Sequence, residues 1–173
     1  MITPDDKDWT WVLDATCPEC GFDASACRAP DVAGLIRGNA DDWGRLFDAG
    51  KIEAGRPDDE TWSTLEYACH VRDVYERYDQ RMALMLAEDD PLFPNWDQDA
   101  SAIDDDYEGQ DPGDVVAALQ VNAQLIAERL DGLTTDQWSR PGRRSDGASF
   151  TLDTLSRYLI HDPIHHIWDV TRG

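Results

Sequence analysis

Three of the four histidines in this 173-residue sequence lie together in the stretch YLIHDPIHHIWD, residues 158–169. His161 and His165 are four positions apart, so on a helix they share one face and offer two imidazoles to one metal ion. The fourth histidine, His70, follows the apolar stripe of another predicted helix and is expected to point into the interior. Imidazole nitrogen suits zinc and related divalent metals. The sequence therefore predicts one metal site formed by His70, His161 and His165.

A site with three protein ligands keeps one coordination position for water or for a thiolate, which is the arrangement of catalytic zinc. Other interpretations stay open at this point. A histidine on an apolar helix face is also typical of a hydrogen-bonded core residue, and His166, off the face of the pair, is expected in the core or in a pocket wall. Residues 161–165 resemble a broken H-E-x-x-H motif, but Asp162 replaces the glutamate and Pro163 is foreign to it, which disfavours a protease.

Three acidic residues are candidates for orienting these imidazoles. Glu66 lies four positions before His70 and Asp73 three after it, while Asp169 lies four after His165. Each spacing places a carboxylate on the same side of a helix as the histidine, where it could accept a hydrogen bond from the ring. A solvated helix face is the alternative for Glu66 and Asp73.

Two arginines are candidates for binding an anionic substrate. Arg72 and Arg157 belong to the same two segments as the histidines, and guanidinium groups bind carboxylates and phosphates well. No residue stands out as a general base. The sequence therefore predicts no catalytic residue beyond the metal ligands, which suits a nucleophile that is activated by the metal.

The stretch TCPECGFDASAC, residues 16–27, has the C-P-x-C-G pattern of a zinc knuckle. A structural zinc held by four cysteines would need a second pair, and only Cys27 and Cys69 remain, without a second C-x-x-C. The segment is therefore interpreted as an ordered turn, with Cys17 and Cys20 packed or lying near the mouth of the bundle. A four-cysteine zinc site and a redox dithiol are the alternatives.

The candidate ligands need helices to position them, and apolar periodicity predicts four helices and no convincing strand. The first three are expected near residues 31–49, 63–87 and 111–132, and the fourth begins near residue 151 and carries the histidine cluster. Pro163 should kink the fourth helix beside the histidines. The acidic, proline-containing stretch 88–111 is interpreted as a crossover loop. The predicted fold class is all-α, a four-helix bundle with long connections.

Composition limits the classes of function. Apolar residues make up 41%, enough for one core, and the formal net charge of −21 disfavours nucleic acids and anionic membranes as partners. No apolar run is long enough to span a membrane and no signal peptide is apparent, so a cytoplasmic protein is expected. We expect an N-terminal cysteine-containing segment, residues 1–29, packed on a metal-binding domain of residues 30–173. A monomer and a homodimer both remain open.

The segments WSTLEYACHVRDV (62–74) and RYLIHDPIHHIWDV (157–170) resemble the metal-binding segments of the DinB/YfiT-like superfamily. The resemblance covers about residues 30–171. It implies an up-down-down-up four-helix bundle with a metal held by one histidine of the second helix and an H-x-x-x-H pair of the fourth. The matching residues are His70, His161 and His165.

The actinobacterial branch of this family includes mycothiol-dependent maleylpyruvate isomerase and mycothiol S-transferases. Resemblance to it implies an enzyme in which zinc, nickel or another divalent ion activates a mycothiol-like thiol for transfer to an electrophilic small molecule. The alternatives are a hydrolase that uses a metal-bound hydroxide and a non-catalytic, stress-related metal-binding bundle.

Overall fold

Four long helices form a bundle in a computed structural model that describes residues 8–172. The helices are α1 (Val32–Asp48), α2 (Thr64–Ala87), a short α3 (Gln98–Asp104), α4 (Pro112–Asp131) and α5 (Leu152–Thr171). The helices α1 and α2 each pack against both α4 and α5. The order around the bundle is therefore α1, α4, α2, α5, so that α1 lies across the core from α2 and α4 lies across it from α5. The predicted four-helix bundle is confirmed; the first three long helices begin and end, and the fourth begins, within one or two residues of the expected positions.

The helix α2 shows why the boundaries were predictable. The Ser63 hydroxyl accepts a hydrogen bond from the backbone N–H of Glu66, and the Glu66 carboxylate accepts one from the backbone N–H of Ser63. This reciprocal capping box satisfies donors that the first turn of a helix leaves unpaired. The apolar stripe of α2, from Val71 to Met85, is buried in the core.

A buried polar link joins three of the helices. The Tyr75 hydroxyl of α2 donates to Asn39 Oδ1 of α1 over 2.7 Å, and Asn39 Nδ2 donates to the Pro163 carbonyl of α5 over 2.8 Å. The helix α5 is continuous through Pro163, between the first and second histidines of its cluster. The link therefore fixes α1, α2 and α5 to one another beside the candidate ligands.

The expectation of no strand was wrong. Three short strands form a sheet: β1 (Leu92–Phe93), β2 (Pro141–Arg144) and β3 (Ser149–Thr151). The central strand β2 is parallel to β1 and antiparallel to β3. Their two to four residues are too few to show a period in the sequence. The crossover region also contains α3, capped by Asp97, whose side chain accepts from the backbone of Ala100. A Cβ at Gly142 would lie 2.7 Å from Met85 Cγ, so the sheet packs directly on α2.

The N-terminal segment lies against α5. A 3-10 helix, Trp9–Leu13, and a turn, Ala29–Asp31, both contact α5, and Val12 is fully buried. Residues 1–7 of the predicted segment lie outside the described residues. Among the helices that the structure describes, none has the length and apolar character needed to cross a membrane.

Candidate metal centre

The last helix presents two interleaved rows of potential ligands. His161 and His165 lie with Cys17 and Cys20 in one group, while Asp162 and His166 lie with His70 in another; within each group the ligand atoms are within 4.8 Å of one another. The sequence predicted one site formed by His70, His161 and His165, and the structure does not bring these three residues together. A step of one residue on a helix turns a side chain by about 100°, so the two pairs point in different directions.

His70 forms one centre with Asp162 and His166. Its ring is 1% exposed and stacks on the indole of Trp96, with centroids 5.1 Å apart, while Trp62 lies 5.4 Å away on another side. His70 Nε2 lies 3.2 Å from Asp162 Oδ2. His70 Nδ1 is buried and has no hydrogen-bond partner within residues 8–172. Two tryptophans thus hold the imidazole with one nitrogen directed at the carboxylate.

The ring of His166 is held on the opposite side of that carboxylate. His166 Nδ1 donates to Asp169 Oδ2 over 3.0 Å, and His166 Nε2 lies 3.4 Å from Asp162 Oδ1. The rings of His166 and His70 have centroids 5.0 Å apart. A carboxylate bound to the outer nitrogen of a metal-ligating histidine fixes its tautomer and orientation, and Asp169 is in that position.

The donor set of this centre fits a divalent metal ion. Two imidazoles and one carboxylate are a known ligand combination of catalytic zinc. A tetrahedral ion with bonds of about 2.1 Å sets its ligand atoms about 3.4 Å apart. Asp162 Oδ2 lies 3.2 Å from His70 Nε2 and Oδ1 lies 3.4 Å from His166 Nε2, so each imidazole faces its own carboxylate oxygen at about that value.

Electrostatics at this centre already favour a positive charge. Burial alone would lower the pKa of His166, but the carboxylates of Asp162 and Asp169 raise it to about 9. Burial opposes ionisation of Asp162, yet His166 and His70 hold the pKa of this carboxyl well below its usual value. A metal ion that binds here takes the place of the His166 proton, so metal uptake is coupled to proton release.

The centre opens into a cavity of about 1040 Å³. All three residues of the centre line it, together with Trp96 and the guanidinium groups of Arg81 and Arg144. Arg81 is 6% exposed; it donates to the Pro94 carbonyl and lies over the ring of Tyr78, with its charged carbon 4.8 Å from the centroid. Arg144 donates to Asp146 Oδ2 over 2.8 Å. The cavity therefore combines a set of metal-type ligands with two arginines and with the carboxylates of Asp8, Asp97, Asp99 and Asp146.

The family model of the DinB superfamily matches residues 6–170. The chain belongs to the DinB superfamily. A solved structure described as "YfiT from Bacillus subtilis is a probable metal-dependent hydrolase with an unusual four-helix bundle topology" superimposes with a TM-score of 0.72. The match has 21% sequence identity and covers 83% of this chain and 86% of that one. A comparison with curated proteins finds no match.

In this DinB chain the structure groups His70 with a different helical pair from the one that the resemblance implied. The helical pair that joins His70 keeps the four-residue spacing but lies one position later, at Asp162 and His166 rather than His161 and His165. A carboxylate therefore stands where the expected pattern has its first helical histidine. The spacing of Asp162 and His166 was visible in the sequence, but the rotational setting of α5 that decides between the two pairs was not.

The predicted orienting carboxylates have separate outcomes. Asp169 was expected to orient His165, but His165 Nε2 is 3.8 Å away. The carboxylate of Asp169 instead contacts His166 Nδ1 over 3.0 Å. Glu66 instead forms an ion pair with Arg56 and caps α2.

The other predicted supporting residues form contacts away from the four histidines. Asp73 accepts hydrogen bonds from the Arg72 guanidinium and from the hydroxyl of Tyr107. Arg72 lines a separate cavity of about 400 Å³. Arg157 pairs with Asp153 and donates to the carbonyl of Ala24. Of the two guanidinium groups that line the large cavity, Arg144 is paired with Asp146, so Arg81 is the better candidate for holding an anionic substrate.

Proposed function

We propose that this protein is a metal-dependent hydrolase of small molecules whose centre is formed by His70, Asp162 and His166. The observation that carries the proposal is the convergence of these three donors on one point in the wall of a large cavity. Zinc is the ion that the donor set favours, with nickel or another divalent ion as alternatives. The description of YfiT as a probable metal-dependent hydrolase supports the same class of reaction.

A divalent ion at such a donor set supplies Lewis-acid activation of a bound nucleophile. The protein's own residues prepare the site for it. Asp169 holds the Nδ1 proton of His166 and keeps Nε2 directed at the centre, while Trp96 and Trp62 fix the His70 ring. The guanidinium of Arg81, in the cavity wall, attracts substrates that carry a negative or strongly electronegative group.

Thiol transfer is the second candidate, and the size of the cavity favours it. A volume of about 1040 Å³ is at the upper end of what a single drug-sized ligand occupies, so a mycothiol-like thiol and an electrophilic acceptor have room together. The same centre would activate the thiol in place of water. Hydrolysis and thiol transfer therefore differ in the nucleophile and share the ligands.

The test uses the double variant Asp162→Asn/His166→Ala, with Asp153→Asn as the control. Asp153 is another carboxylate of α5, but it pairs with Arg157 instead of a histidine. Each protein is loaded with zinc or nickel and assayed against a panel of esters, amides and electrophiles, with and without mycothiol. We expect metal-dependent turnover in the wild type and the control, and at least a hundredfold loss in the double variant. Undiminished turnover in the double variant would refute the proposed centre. Turnover that requires mycothiol would show that the reaction is thiol transfer and not hydrolysis.

A further inference from the structure

Cys17, Cys20, His161 and His165 place four ligand atoms within 4.8 Å of one another where the N-terminal segment meets α5. We propose that these four residues form a second metal site, a closed tetrahedral zinc site that fastens the N-terminal segment to α5. None of its ligands belongs to the hydrolase centre proposed above. The two sites therefore stand or fall separately.

The separation of the donors is the first argument. Zinc binds thiolate sulfur at about 2.3 Å and imidazole nitrogen at about 2.05 Å, which sets the two atoms about 3.6 Å apart in a tetrahedron. Cys17 Sγ lies 3.6 Å from His165 Nδ1. These residues are 148 positions apart in the chain, so the backbone alone does not impose their approach.

The spacing of the ligands is the second argument. Structural zinc sites with two cysteines and two histidines use a short C-x-x-C turn and a histidine pair with about three to five residues between the two histidines. Here Cys17 and Cys20 have the first spacing, and His161 and His165 have the second. The turn is closed by its backbone: the N–H of Gly21 donates to the Cys17 carbonyl, and Gly21 has a φ of 73° that glycine adopts without strain. The knuckle pattern has no second pair of cysteines, and the histidine pair of α5 would supply the two remaining ligands.

Burial is the third argument. Cys17 is 1% exposed and His161 is 4% exposed, and His161 Nε2 has no hydrogen-bond partner within residues 8–172. The indole of Trp9 covers both imidazoles, with centroids 5.7 Å from His161 and 5.9 Å from His165. A buried imidazole nitrogen without a partner is costly, and a metal bond at this group would remove the cost.

Charge balance and closure define the kind of site. Two thiols release their protons to solvent when the ion binds, so two thiolates neutralise Zn²⁺ and the buried group has no net charge. Four protein ligands fill the tetrahedron and leave no position for a substrate, which makes the site structural. The described cysteines form no disulfide, so both thiols of the turn are available.

The site has a direct geometric consequence for the cavity. Trp9, Thr10 and Leu13 belong to the segment that the zinc would fasten, and all three line the large cavity. His161 and His165 line the cavity as well, so the metal would hold this wall in place at the edge of the cavity.

The test compares Cys17→Ser/Cys20→Ser with Cys27→Ser, a cysteine of the same segment whose thiol lies against the Arg28 carbonyl. The full chain is prepared under reducing conditions, and zinc is counted by elemental analysis. Cobalt substitution then reports thiolate ligation through its charge-transfer absorption in the near ultraviolet. We expect the double variant to lose one metal equivalent and this absorption, and Cys27→Ser to keep both.

Two further measurements keep the outcome decisive. Should the double variant fail to fold, X-ray absorption of the zinc-loaded wild type must show sulfur neighbours as well as nitrogen; a shell of nitrogen and oxygen alone overturns the proposal. A Cys17–Cys20 disulfide under reducing conditions, or unchanged zinc in the double variant, overturns it too. Asp162→Asn/His166→Ala should lose the other equivalent and keep the thiolate absorption, so failure of the hydrolase centre is recognised separately.

Discussion

Asp169 lies between the two groups of ligands on α5. Its carboxylate accepts from His166 Nδ1 at 3.0 Å, stands 3.8 Å from His165 Nε2 and pairs with Arg172 at 3.4 Å. In both imidazoles the nitrogen that faces Asp169 is the one directed away from the proposed ion. Asp169 therefore orients His166 through a hydrogen bond, whereas the carboxylate nearest to His165 Nε2 is that of Glu19, at 3.6 Å.

Asp169→Asn tests this role. An amide accepts a weaker hydrogen bond than a carboxylate, so the His166 imidazole becomes less basic and less well oriented, and His165 loses only a more distant charge. We expect metal affinity at the His166 centre to fall about tenfold or more, and a smaller loss at the other site. Competition titration with a chelator measures both affinities. Asp153→Asn on the same helix is the control, and equal affinities in the two variants would exclude the orienting role.

Single residues also show how far the sequence determines the site. Histidine content, together with the four-residue spacing, was the basis for predicting a metal site at α5, whereas the cysteines were interpreted as an ordered turn. The sequence offers two pairs with that spacing, 161 with 165 and 162 with 166, and nothing local says which one faces His70. The partner of the first pair is a cysteine turn almost 150 positions earlier, and only the packing of the N-terminal segment on α5 reveals it.

At the scale of elements, the cap of α2 determines where that helix begins and contributes a pH-dependent part of its stability. The Glu66 side chain is 2% exposed. Burial would raise its pKa, but the Arg56 guanidinium and the Ser63 backbone lower it below the usual value. A carboxyl with a lowered pKa in the folded state stabilises the protein above its unfolded pKa, and that contribution is lost as the pH falls through the folded-state value.

Glu66→Gln should therefore lower the free energy of unfolding at pH 7 by about 1–2 kcal/mol, because a charged hydrogen-bond acceptor is lost. The gap between variant and wild type should begin to narrow as the pH falls below about 4.3, where the unfolded chain binds a proton, and should close as the pH passes the lower folded-state pKa. Urea unfolding at a series of pH values measures it. Glu76→Gln, on the exposed side of α2, controls for the removal of one charge. A gap that stays constant down to pH 3 contradicts the assignment.

The elements differ in how well the sequence predicts them. The cap residues Ser63, Asp111 and Thr151 and the apolar period were sufficient for the long helices, because those signals are local. The strands depend on pairing between β1 and the hairpin of β2 and β3, whose partners are about 50 residues apart. Such short strands have no pattern of their own, so the sheet was visible only in the folded chain.

At the scale of the whole molecule, the chain has 36 acidic residues and 15 lysines and arginines. Self-repulsion of this excess opposes the compact state, whereas salt screens charges over about 8 Å at 0.15 M and about 30 Å at 0.01 M. We expect the urea midpoint to rise as NaCl is increased over this range in the presence of a chelator. KCl should give the same rise, since screening depends on ionic strength. A midpoint that falls with salt would show that the arginine ion pairs outweigh the repulsion.

The interleaving of ligands on α5 has a consequence for how the molecule would take up two ions. Positions 161 and 165 alternate with 162 and 166 on the same turns of one helix, and the rings of His165 and His166 are 6.1 Å apart. Any shift of the helix that improves one set of bonds moves the other set as well. The two binding equilibria are then linked, and by thermodynamic reciprocity each ion changes the affinity for the other by the same factor. Titrations that begin from either singly loaded form should give the same coupling, whichever ion enters first.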